Sequence, residues 1–491
     1  MRPIEKVMLV YPPVTFSPQS MKQCHPPLGL SYLASVLRDK VELEVLDAAA
    51  EGWHREERAG DKLLRYGLSF DEIEKRIERF KPDLLGMSCI FSSQFRNVAE
   101  LCRRAKSLRP HTLTITGGTH PTFLSRECLE RCPELDMIGR GEGEFIMLDL
   151  VESSRKDGDL SDIEGLTFRD NEKIVINPDR PPHPEIDEIP FPARDLFDLE
   201  VYDRISQPMG MVYKRRPFMN IITSRGCPYK CTFCSSTNFW GNKYRPRSVE
   251  NVLDEMEQLH KDYGINEFKF FDDNLTSDRK RAKALFQGMI HRGIDVTWNT
   301  PNGVHVINMD EEMLDLMKES GCYELTLAVE SGDQDVLRDI IHKPTRLDHL
   351  EEATRRIKDR KIGTNGFFII GFPGETKEQI KRTLDFSRKL DLDRISFFTF
   401  TPLPGTPLYE LCAKKGYIDP AEINEDVDYF EAPIDTPEWT HEELDRLRKR
   451  WFWRFNLSLL VRHPVWFFAR YSNILKRPGL VWDILKRRLR G

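Results

Sequence analysis

The sequence predicts an α/β protein with two parallel-sheet domains, the first Rossmann-like (flavodoxin-like) and the second a partial (βα)6 TIM-type barrel. Short apolar strands alternate with helical segments in the first third of the chain, which is typical of a parallel sheet covered by helices. The alternation resumes after a proline-rich stretch with six strand–helix pairs. No strand pattern follows, so the chain ends in a helical tail. The expected boundaries are 1–170, 171–217, 218–415 and 416–491.

The first domain is predicted from five apolar strands and the helices between them. The predicted strands are Val7–Val10, Leu43–Leu46, Leu84–Ser88, Leu113–Thr116 and Met137–Ile138. The predicted helices are Leu28–Leu37, Asp71–Phe80 and Val98–Ser107. Ligands of such sheets bind at the carboxyl ends of the strands. The segments expected at that edge are Tyr11–Pro13, Ser88–Ser93, Gly117–Thr122 and Gly139–Glu144.

The second domain follows a segment rich in proline and charge, which we interpret as a linker or a wrap-around segment. Its predicted strands are Asn220–Ser224, Glu267–Phe271, Asp295–Asn299, Tyr323–Val329, Gly366–Ile370 and Ile395–Phe400. Its predicted helices include Val249–His260, Glu311–Ser320 and Lys377–Lys389. In barrels of this type the chemistry lies at the carboxyl ends of the strands.

Composition narrows the class of protein. The 491 residues carry a net charge of -6, which gives no general attraction to nucleic acid, and ten cysteines are too sparse for a disulfide scaffold. We find no signal peptide and no apolar run long enough to span a bilayer. The sequence therefore predicts a cytoplasmic protein. From Asp445 to Gly491, however, thirteen Lys or Arg face two acids, which suggests a local partner for the tail.

The cysteines Cys227, Cys231 and Cys234 form the most informative motif, immediately after a predicted strand. Thiolates are the usual ligands of iron–sulfur clusters. Three ligands leave one iron of a 4Fe–4S cluster open to the amino and carboxylate groups of another molecule. A zinc site is the alternative, but structural zinc usually takes four ligands, and no second paired element is apparent. Cys128 and Cys132, spaced for one helix face, fit core positions better.

The spacing C-x₃-C-x₂-C, with an aromatic residue before the last cysteine, resembles the signature of the radical S-adenosylmethionine (SAM) superfamily. Further matching segments follow later strands, and the last of them is Thr401–Tyr409. The resemblance implies that these residues contact SAM: Phe233, Asp272, Asp273, Asn274, Glu330, Ser331, Gly371, Pro373 and Gly374. Taken singly, the acidic pair could be a helix cap and the glycines a turn. All of them are predicted at one end of the barrel, which favours a shared site.

The first domain resembles the cobalamin-binding subclass of that superfamily. The resemblance implies cobalamin contacts at Pro12, Ser88, Gly117, Gly118, His120, Gly139, Gly141 and Glu142. Glycines would let the backbone approach a large flat ligand closely. One departure is that the turn Tyr11–Thr15 lacks the histidine that ligates cobalt in many cobalamin domains. His25 and His120 are the nearest candidates, although a loop role and a turn-stabilising role fit them better.

The tail interleaves aromatic residues such as Trp451, Trp453, Trp466 and Trp482 with Arg and Lys. This composition suits an interfacial membrane helix, and it suits equally a helical cap packed on the barrel. Nucleic-acid binding fits less well, and no nucleic acid is expected. If the membrane interpretation holds, the protein is peripheral on the inner face of the membrane and its substrate is lipid-like or membrane-bound.

The resemblance implies a cobalamin-dependent radical SAM enzyme that modifies an unactivated carbon of a small-molecule or lipid substrate. The implied cofactors are a 4Fe–4S cluster, SAM and cobalamin, with a one-electron donor such as flavodoxin or ferredoxin. Methyl transfer is the leading reaction. Ring closure, as in anaerobic magnesium-protoporphyrin ester cyclases, is the close alternative. A methylthiotransferase would need a second cysteine triplet, and a non-catalytic cobalamin or redox sensor would not need the SAM-contact segments.

Overall fold

The computed structural model describes residues 2–18, 20, 22–60, 63–156, 158–420 and 433–462. The N-terminal strands are β1 (Lys6–Tyr11), β2 (Val14–Phe16), β3 (Glu42–Asp47), β4 (Glu56–Ala59), β5 (Leu63–Tyr66), β6 (Leu84–Ser88), β7 (Leu113–Gly117), β8 (Met137–Gly139), β9 (Leu166–Asp170) and β10 (Lys173–Ile176). The helices are α1 (Leu28–Leu37), α2 (Ala48–Glu51), α3 (Phe70–Phe80), α4 (Phe95–Leu108), α5 (Thr119–Phe123), α6 (Ser125–Arg131), α7 (Gly143–Arg155) and α8 (Leu199–Ile205).

The N-terminal sheet has the order β10-β9-β8-β7-β6-β1-β3, in which β3, β1, β6, β7 and β8 are parallel. Counted along the chain these five strands run 2-1-3-4-5, so the predicted flavodoxin-like fold is confirmed. The antiparallel hairpin β9–β10 extends the sheet across the predicted boundary at residue 170. Strand order reverses between β1 and β6, and open sheets of this kind bind ligands at such a reversal.

A second, three-stranded antiparallel sheet of β2, β5 and β4 is absent from the sequence prediction. The reason is chemical, because β4 consists of Glu56, Glu57, Arg58 and Ala59 and shows no apolar alternation. Backbone pairing with β5 forms this strand without a buried face of its own.

The second domain contains the strands β11 (Phe218–Ile221), β12 (Ser224–Arg225), β13 (Arg245–Pro246), β14 (Glu267–Phe270), β15 (Thr297–Val304), β16 (Cys322–Glu330), β17 (Gly363–Ile370) and β18 (Arg394–Thr399). Its helices are α9 (Ser236–Trp240), α10 (Val249–Tyr263), α11 (Arg279–His291), α12 (Glu311–Glu319), α13 (Leu347–Asp359), α14 (Lys377–Lys389), α15 (Pro407–Lys414) and α16 (His441–Arg462). Short 3-10 or π turns connect several elements of both domains.

Six parallel strands form this sheet in the order β11-β14-β15-β16-β17-β18. The edge strands β11 and β18 are not hydrogen-bonded to each other, so the predicted partial (βα)6 barrel is confirmed as an open one. Apolar side chains pack the sheet against its helices, for example Trp298 on Phe286 with ring centroids 5.0 Å apart. The strand predicted at Asp295–Asn299 was placed too early, because β15 continues through Pro301 and Gly303 with shifted register.

The helix α16 packs on the barrel through a buried stripe that includes Trp451, Phe455 and Leu459. This face of the tail therefore packs as a helical cap on the barrel. The opposite face exposes Trp453, which is 58% accessible, and Leu457. None of the helices in the described ranges combines the length and hydropathy needed to cross a bilayer. The predicted tail residues from 463 onward, Trp466 and Trp482 among them, lie outside the described residues.

Candidate functional site

The cluster motif lies on the loop between β12 and β13, at the carboxyl end of the first barrel strand. Gly226 begins the loop at φ +83°, and a Cβ there would lie 2.4 Å from the carbonyl oxygen of Lys243. Only glycine fits this close approach. The thiols of Cys227, Cys231 and Cys234 follow on the loop and are partly exposed.

The three thiols lie close enough to influence one another electrostatically. Burial, the largest cause, and the neighbouring cysteines together raise the pKa of Cys231 to about 11 and that of Cys234 to about 12. Backbone N–H groups of Tyr229 and Ser236 lower the pKa values of Cys227 and Cys234. A bound metal deprotonates such thiols outright, and N–H groups directed at sulfur are a feature of iron–sulfur sites.

In the described part of the chain, no three His, Cys, Asp or Glu side chains converge where one metal ion could sit. Three thiols on one loop can hold a cubane without converging on one point, because each would ligate a different iron. Cys102, Cys128 and Cys132 are buried in the core of the N-terminal domain.

Of the three predicted SAM-contact residues after β14, one has its carboxylate fully engaged and the other two each have a buried polar atom without a partner. The carboxylate of Asp272 accepts hydrogen bonds from the N–H and hydroxyl of Thr223 and from the hydroxyl of Ser224, so it ties the first two strands together. Asp273 lies beside the cluster loop, and burial raises its pKa to about 6. Its Oδ2 is buried without a partner, as is Nδ2 of Asn274, so both can receive a ligand.

Glu330 ends β16 with a positive φ of 63° and forms a buried ion pair with Lys343, whose Nζ lies 3.0 Å from its Oε1. Lys343 also donates to the carbonyl of Ala328 and lowers the pKa of the Cys227 and Cys231 thiols electrostatically. The hydroxyl of Ser331, in contrast, bonds to Thr383 on α14 and is fully buried there. Its hydroxyl is therefore already engaged within the protein.

The Gly-Phe-Pro-Gly-Glu segment after β17 forms a tight turn. Gly371 and Gly374 have φ values of +85° and +87°. The carboxylate of Glu375 holds the turn by accepting from the N–H groups of Gly371 and Phe372, and burial raises its pKa to about 8. Pro373 is buried within the turn, and the Phe233 ring contacts Phe372 at 5.7 Å. The turn thus connects the fifth strand with the cluster loop.

The carboxyl end of the N-terminal sheet is apolar and rich in glycine. A Cβ on Gly118 would lie 2.5 Å from the carbonyl oxygen of Cys89, whereas one on Gly141 would meet open space. Beside the strand reversal, Ile90 and Phe91 are 43% and 44% exposed. Apolar side chains and bare backbone fit the face of a corrin ring.

The other predicted cobalamin contacts lie around this edge. Gly117 and Gly139 end neighbouring strands and pair with each other, and Ser88 and Pro12 end or follow the two strands at the reversal. Burial lowers the pKa of His120 to about 4, and its Nδ1 lies 2.9 Å from Ser92 Oγ. The described histidines at this edge are His120 and His25, and the packing of His120 matches the turn-stabilising role.

The carboxyl ends of the two sheets face each other. His25, on the loop before α1, contacts Phe271 at the end of β14 with ring centroids 5.0 Å apart. Arg225, two residues before the first cluster cysteine, forms buried ion pairs with Glu142 and Glu144 after β8. The predicted cobalamin edge and the cluster loop are therefore joined by contacts at one domain interface.

Sequence reasoning missed Lys343, which lies in a polar segment and is revealed only by its ion pair with Glu330. Ile90 and Phe91 fall within the segment Ser88–Ser93 expected at the carboxyl edge of the N-terminal sheet, although neither was named as a ligand contact. Glu142 was predicted as a cobalamin contact, and its carboxylate is bound to Arg225 and Arg245.

The structure thus places three candidate cluster ligands and an apolar, glycine-rich edge at one domain interface, and comparison with known proteins specifies the class. The model of the radical SAM superfamily matches residues 221–387, and that of the B12 binding domain matches residues 19–151. The chain belongs to the radical SAM superfamily, in its cobalamin-binding subclass.

Among its relatives is the cytidylyl-2-hydroxyethylphosphonate methyltransferase of Streptomyces wedmorensis, 36% identical over 93% of this chain and 90% of that protein. The anaerobic magnesium-protoporphyrin IX monomethyl ester cyclase of Rubrivivax gelatinosus is 30% identical over 89% and 75%. The structure of the methyltransferase TsrM from Kitasatospora setae, with cobalamin and a 4Fe–4S cluster bound, matches with a TM-score of 0.65 at 20% identity. It covers 84% of this chain and 79% of TsrM, and it shares the fold.

Proposed function

We propose that this chain is a methyltransferase that moves a methyl group from SAM to an unactivated carbon of a small molecule. In this proposal residues 1–170 form the cobalamin-binding domain and residues 218–415 bind the cluster and SAM. The observation that supports it most is the direct contact between the carboxyl ends of the two sheets, through Arg225 with Glu142 and Glu144 and through His25 with Phe271. The methyltransferase from Streptomyces wedmorensis, similar over nine-tenths of both chains, supports the same reaction.

The residues of the barrel have distinct roles in this proposal. Cys227, Cys231 and Cys234 ligate three irons and leave the fourth to SAM. The unpaired Oδ2 of Asp273 accepts a hydrogen bond from the SAM amino group. The Glu330–Lys343 pair and the Gly371–Gly374 turn border the other side of the proposed SAM site. When bound, the cluster supplies an electron to SAM and cobalamin carries the methyl group.

The first test is anaerobic turnover of reconstituted protein with SAM carrying a ¹³C-labelled methyl group and a panel of candidate acceptors. A nucleotide-linked hydroxyethylphosphonate leads the panel, because a methyltransferase of that class is the similar protein. Tetrapyrroles and lipids complete it. The proposal expects an acceptor that gains one labelled methyl group, with 5′-deoxyadenosine and S-adenosylhomocysteine both formed. Cofactor-loaded protein that gives 5′-deoxyadenosine without S-adenosylhomocysteine would contradict it.

Radical ring closure is the second candidate, favoured by the 30% identity to the protoporphyrin ester cyclase. The same assay separates the two reactions. Ring closure gives an unlabelled product that has lost hydrogen, whereas methyl transfer gives a labelled product.

The electron donor and membrane contact also belong to this proposal. Flavodoxin or ferredoxin supplies the electron. Trp453, Leu457 and Val461 form an exposed apolar stripe on α16, spaced four residues apart and followed in sequence by further aromatic and basic residues. The full chain is expected to co-sediment with vesicles containing phosphatidylglycerol, and Leu457→Ser to weaken this binding. Absence of co-sedimentation with these vesicles, or equal co-sedimentation of wild type and Leu457→Ser, would contradict membrane contact through this stripe.

A further inference from the structure

We infer that Glu142, Glu144, Arg225 and Arg245, the interdomain ion cluster, are positioning residues that set the distance between the two cofactor sites. The inference rests on the proposed function, because it assigns to this cluster the alignment of SAM with cobalamin. None of the four side chains has to touch substrate for this role.

The ion cluster is closed and buried. Arg225 Nη1 lies 3.0 Å from Glu142 Oε2, and Nη2 lies 2.6 Å from Glu144 Oε1. The second oxygen of Glu142 accepts from Arg245. The four side chains are between 3% and 9% exposed. Two positive and two negative charges balance, so the cluster is neutral as a whole.

The register of the barrel makes the domain contact necessary. Arg225 on β12 is directly opposite Arg245 on the antiparallel partner β13. Like charges at opposed positions repel each other, and burial removes the water that would screen them. The carboxylate that neutralises this pair, Glu142, belongs to the other domain. The β12–β13 ribbon therefore reaches its stable arrangement only with the N-terminal domain in place.

Each end of the ion cluster leads directly into a cofactor site. Arg225 is followed by Gly226 and the first cluster cysteine, Cys227, without a flexible spacer. Glu142 follows Gly139 and Gly141 at the predicted cobalamin edge, and Glu144 is in the first turn of α7. The Arg225 guanidinium also lies over the rings of Tyr32 and Trp240, 5.1 and 5.2 Å from their centroids. A change of orientation at Arg225 is therefore transmitted to both cofactor sites.

Positioning and plain stability predict different results. One-electron cleavage of SAM needs the barrel alone and yields 5′-deoxyadenosine. Loss of the SAM methyl group yields S-adenosylhomocysteine and needs both domains in alignment. A residue that only stabilises the fold lowers both products together. A positioning residue lowers S-adenosylhomocysteine selectively, since a displacement near 1 Å can reduce a rate by about a hundredfold.

The test compares Arg245→Lys and Arg225→Lys with wild-type holoenzyme under anaerobic, dithionite-reduced conditions. Arg225→Lys keeps the charge but loses the planar fork that engages two carboxylates, so it preserves folding best. Arg394→Lys is the matched control, because Arg394 pairs with Glu324 inside the barrel, away from the N-terminal domain, at similar burial. Both test variants are expected to retain iron, cobalt and 5′-deoxyadenosine formation while S-adenosylhomocysteine falls about a hundredfold. The control is expected to keep the wild-type product ratio.

A second readout is independent of turnover. Reduced cluster and Co(II) are both paramagnetic, so the spin–spin coupling in the EPR spectrum reports the distance between them. In both test variants the spin–spin coupling is expected to be weaker, or its EPR lines broader, than in wild type. In Arg394→Lys the coupling is expected to match wild type. Unchanged coupling and an unchanged product ratio would overturn the inference, as would a parallel loss of both products. Wild-type protein that binds no cobalt would instead contradict the proposed function.

Discussion

The carboxyl ends of the two parallel sheets differ in chemistry although they contact each other at one domain interface. The barrel end carries three thiols, the free carboxylate oxygen of Asp273 and the Glu330–Lys343 pair. The N-terminal end carries glycines and the exposed side chains of Ile90 and Phe91. A small charged ligand is recognised by polar groups at fixed positions, whereas a large flat ligand is recognised by shape. Substitutions at the two ends should therefore separate the two cofactors.

The largest expected effect is at the cluster. Cys234→Ser is expected to abolish the iron–sulfur absorption and all cleavage of SAM, because a cubane held by two thiolates is lost. Cobalt content should remain, since the N-terminal domain is unchanged. Cys412→Ala on α15, a buried cysteine outside the loop, is the control and should keep its iron. An iron content equal to wild type in Cys234→Ser would show that this thiol is not a ligand.

The buried ion pair beside the cluster gives the next largest effect. Lys343→Met leaves Glu330 buried without its partner, which is expected to destabilise the apo protein by about 3–5 kcal/mol. The double variant Lys343→Met/Glu330→Leu should recover most of this loss, because no isolated charge remains. Calorimetric unfolding measures both variants. If the single variant unfolds at the wild-type temperature, the pair does not stabilise the barrel end.

Two glycines test the comparison at the carboxyl end of the N-terminal sheet. Gly118→Ala should destabilise the N-terminal domain by more than the roughly 1–2 kcal/mol expected for a left-handed alanine, because its Cβ meets the backbone oxygen of Cys89. Gly141 also has a positive φ, but a Cβ there would meet open space. Gly141→Ala should therefore show only the backbone effect of roughly 1–2 kcal/mol. Thermal unfolding and cobalt content are the measurements. Equal effects would mean that the close contact is not needed.

The smallest expected effect is at the apolar edge. Ile90→Ser and Phe91→Ser should each weaken cobalamin binding by about fivefold, which corresponds to about 1 kcal/mol of lost apolar burial. SAM binding to the barrel should stay constant. Ile176→Ser on the edge strand β10, 42% exposed, is the matched control and should bind cobalamin normally. A loss in the control equal to that in the test variants would remove Ile90 and Phe91 from the cobalamin edge.

The difference between the barrel end and the N-terminal end also separates what the sequence predicts from what it does not. The cluster loop could be predicted, because three cysteines within eight residues carry their chemistry in local spacing. The parallel sheets could also be predicted from helix–strand alternation, since parallel strands need crossover helices. Ser331 shows the limit, because a motif gives residue identity but not the direction of the side chain, and here the hydroxyl faces α14.

The remaining features depend on contacts between distant segments. The neutralisation of Arg225 and Arg245 by Glu142 joins positions about a hundred residues apart, and no local pattern marks it. The strand β4 has no apolar alternation, so its backbone pairing could not be inferred. At the cobalamin edge the recognition is by shape, and shape has no short motif.

The measurement that tests the account most directly is the metal content of protein reconstituted anaerobically with iron, sulfide and hydroxocobalamin, followed by its absorption spectrum. The account predicts about four irons, as in a 4Fe–4S cluster, together with near-stoichiometric cobalt in the same chain. Four irons without cobalt would leave the cluster site in place. That result would contradict the claim that two cofactors bind at the interface of the two domains.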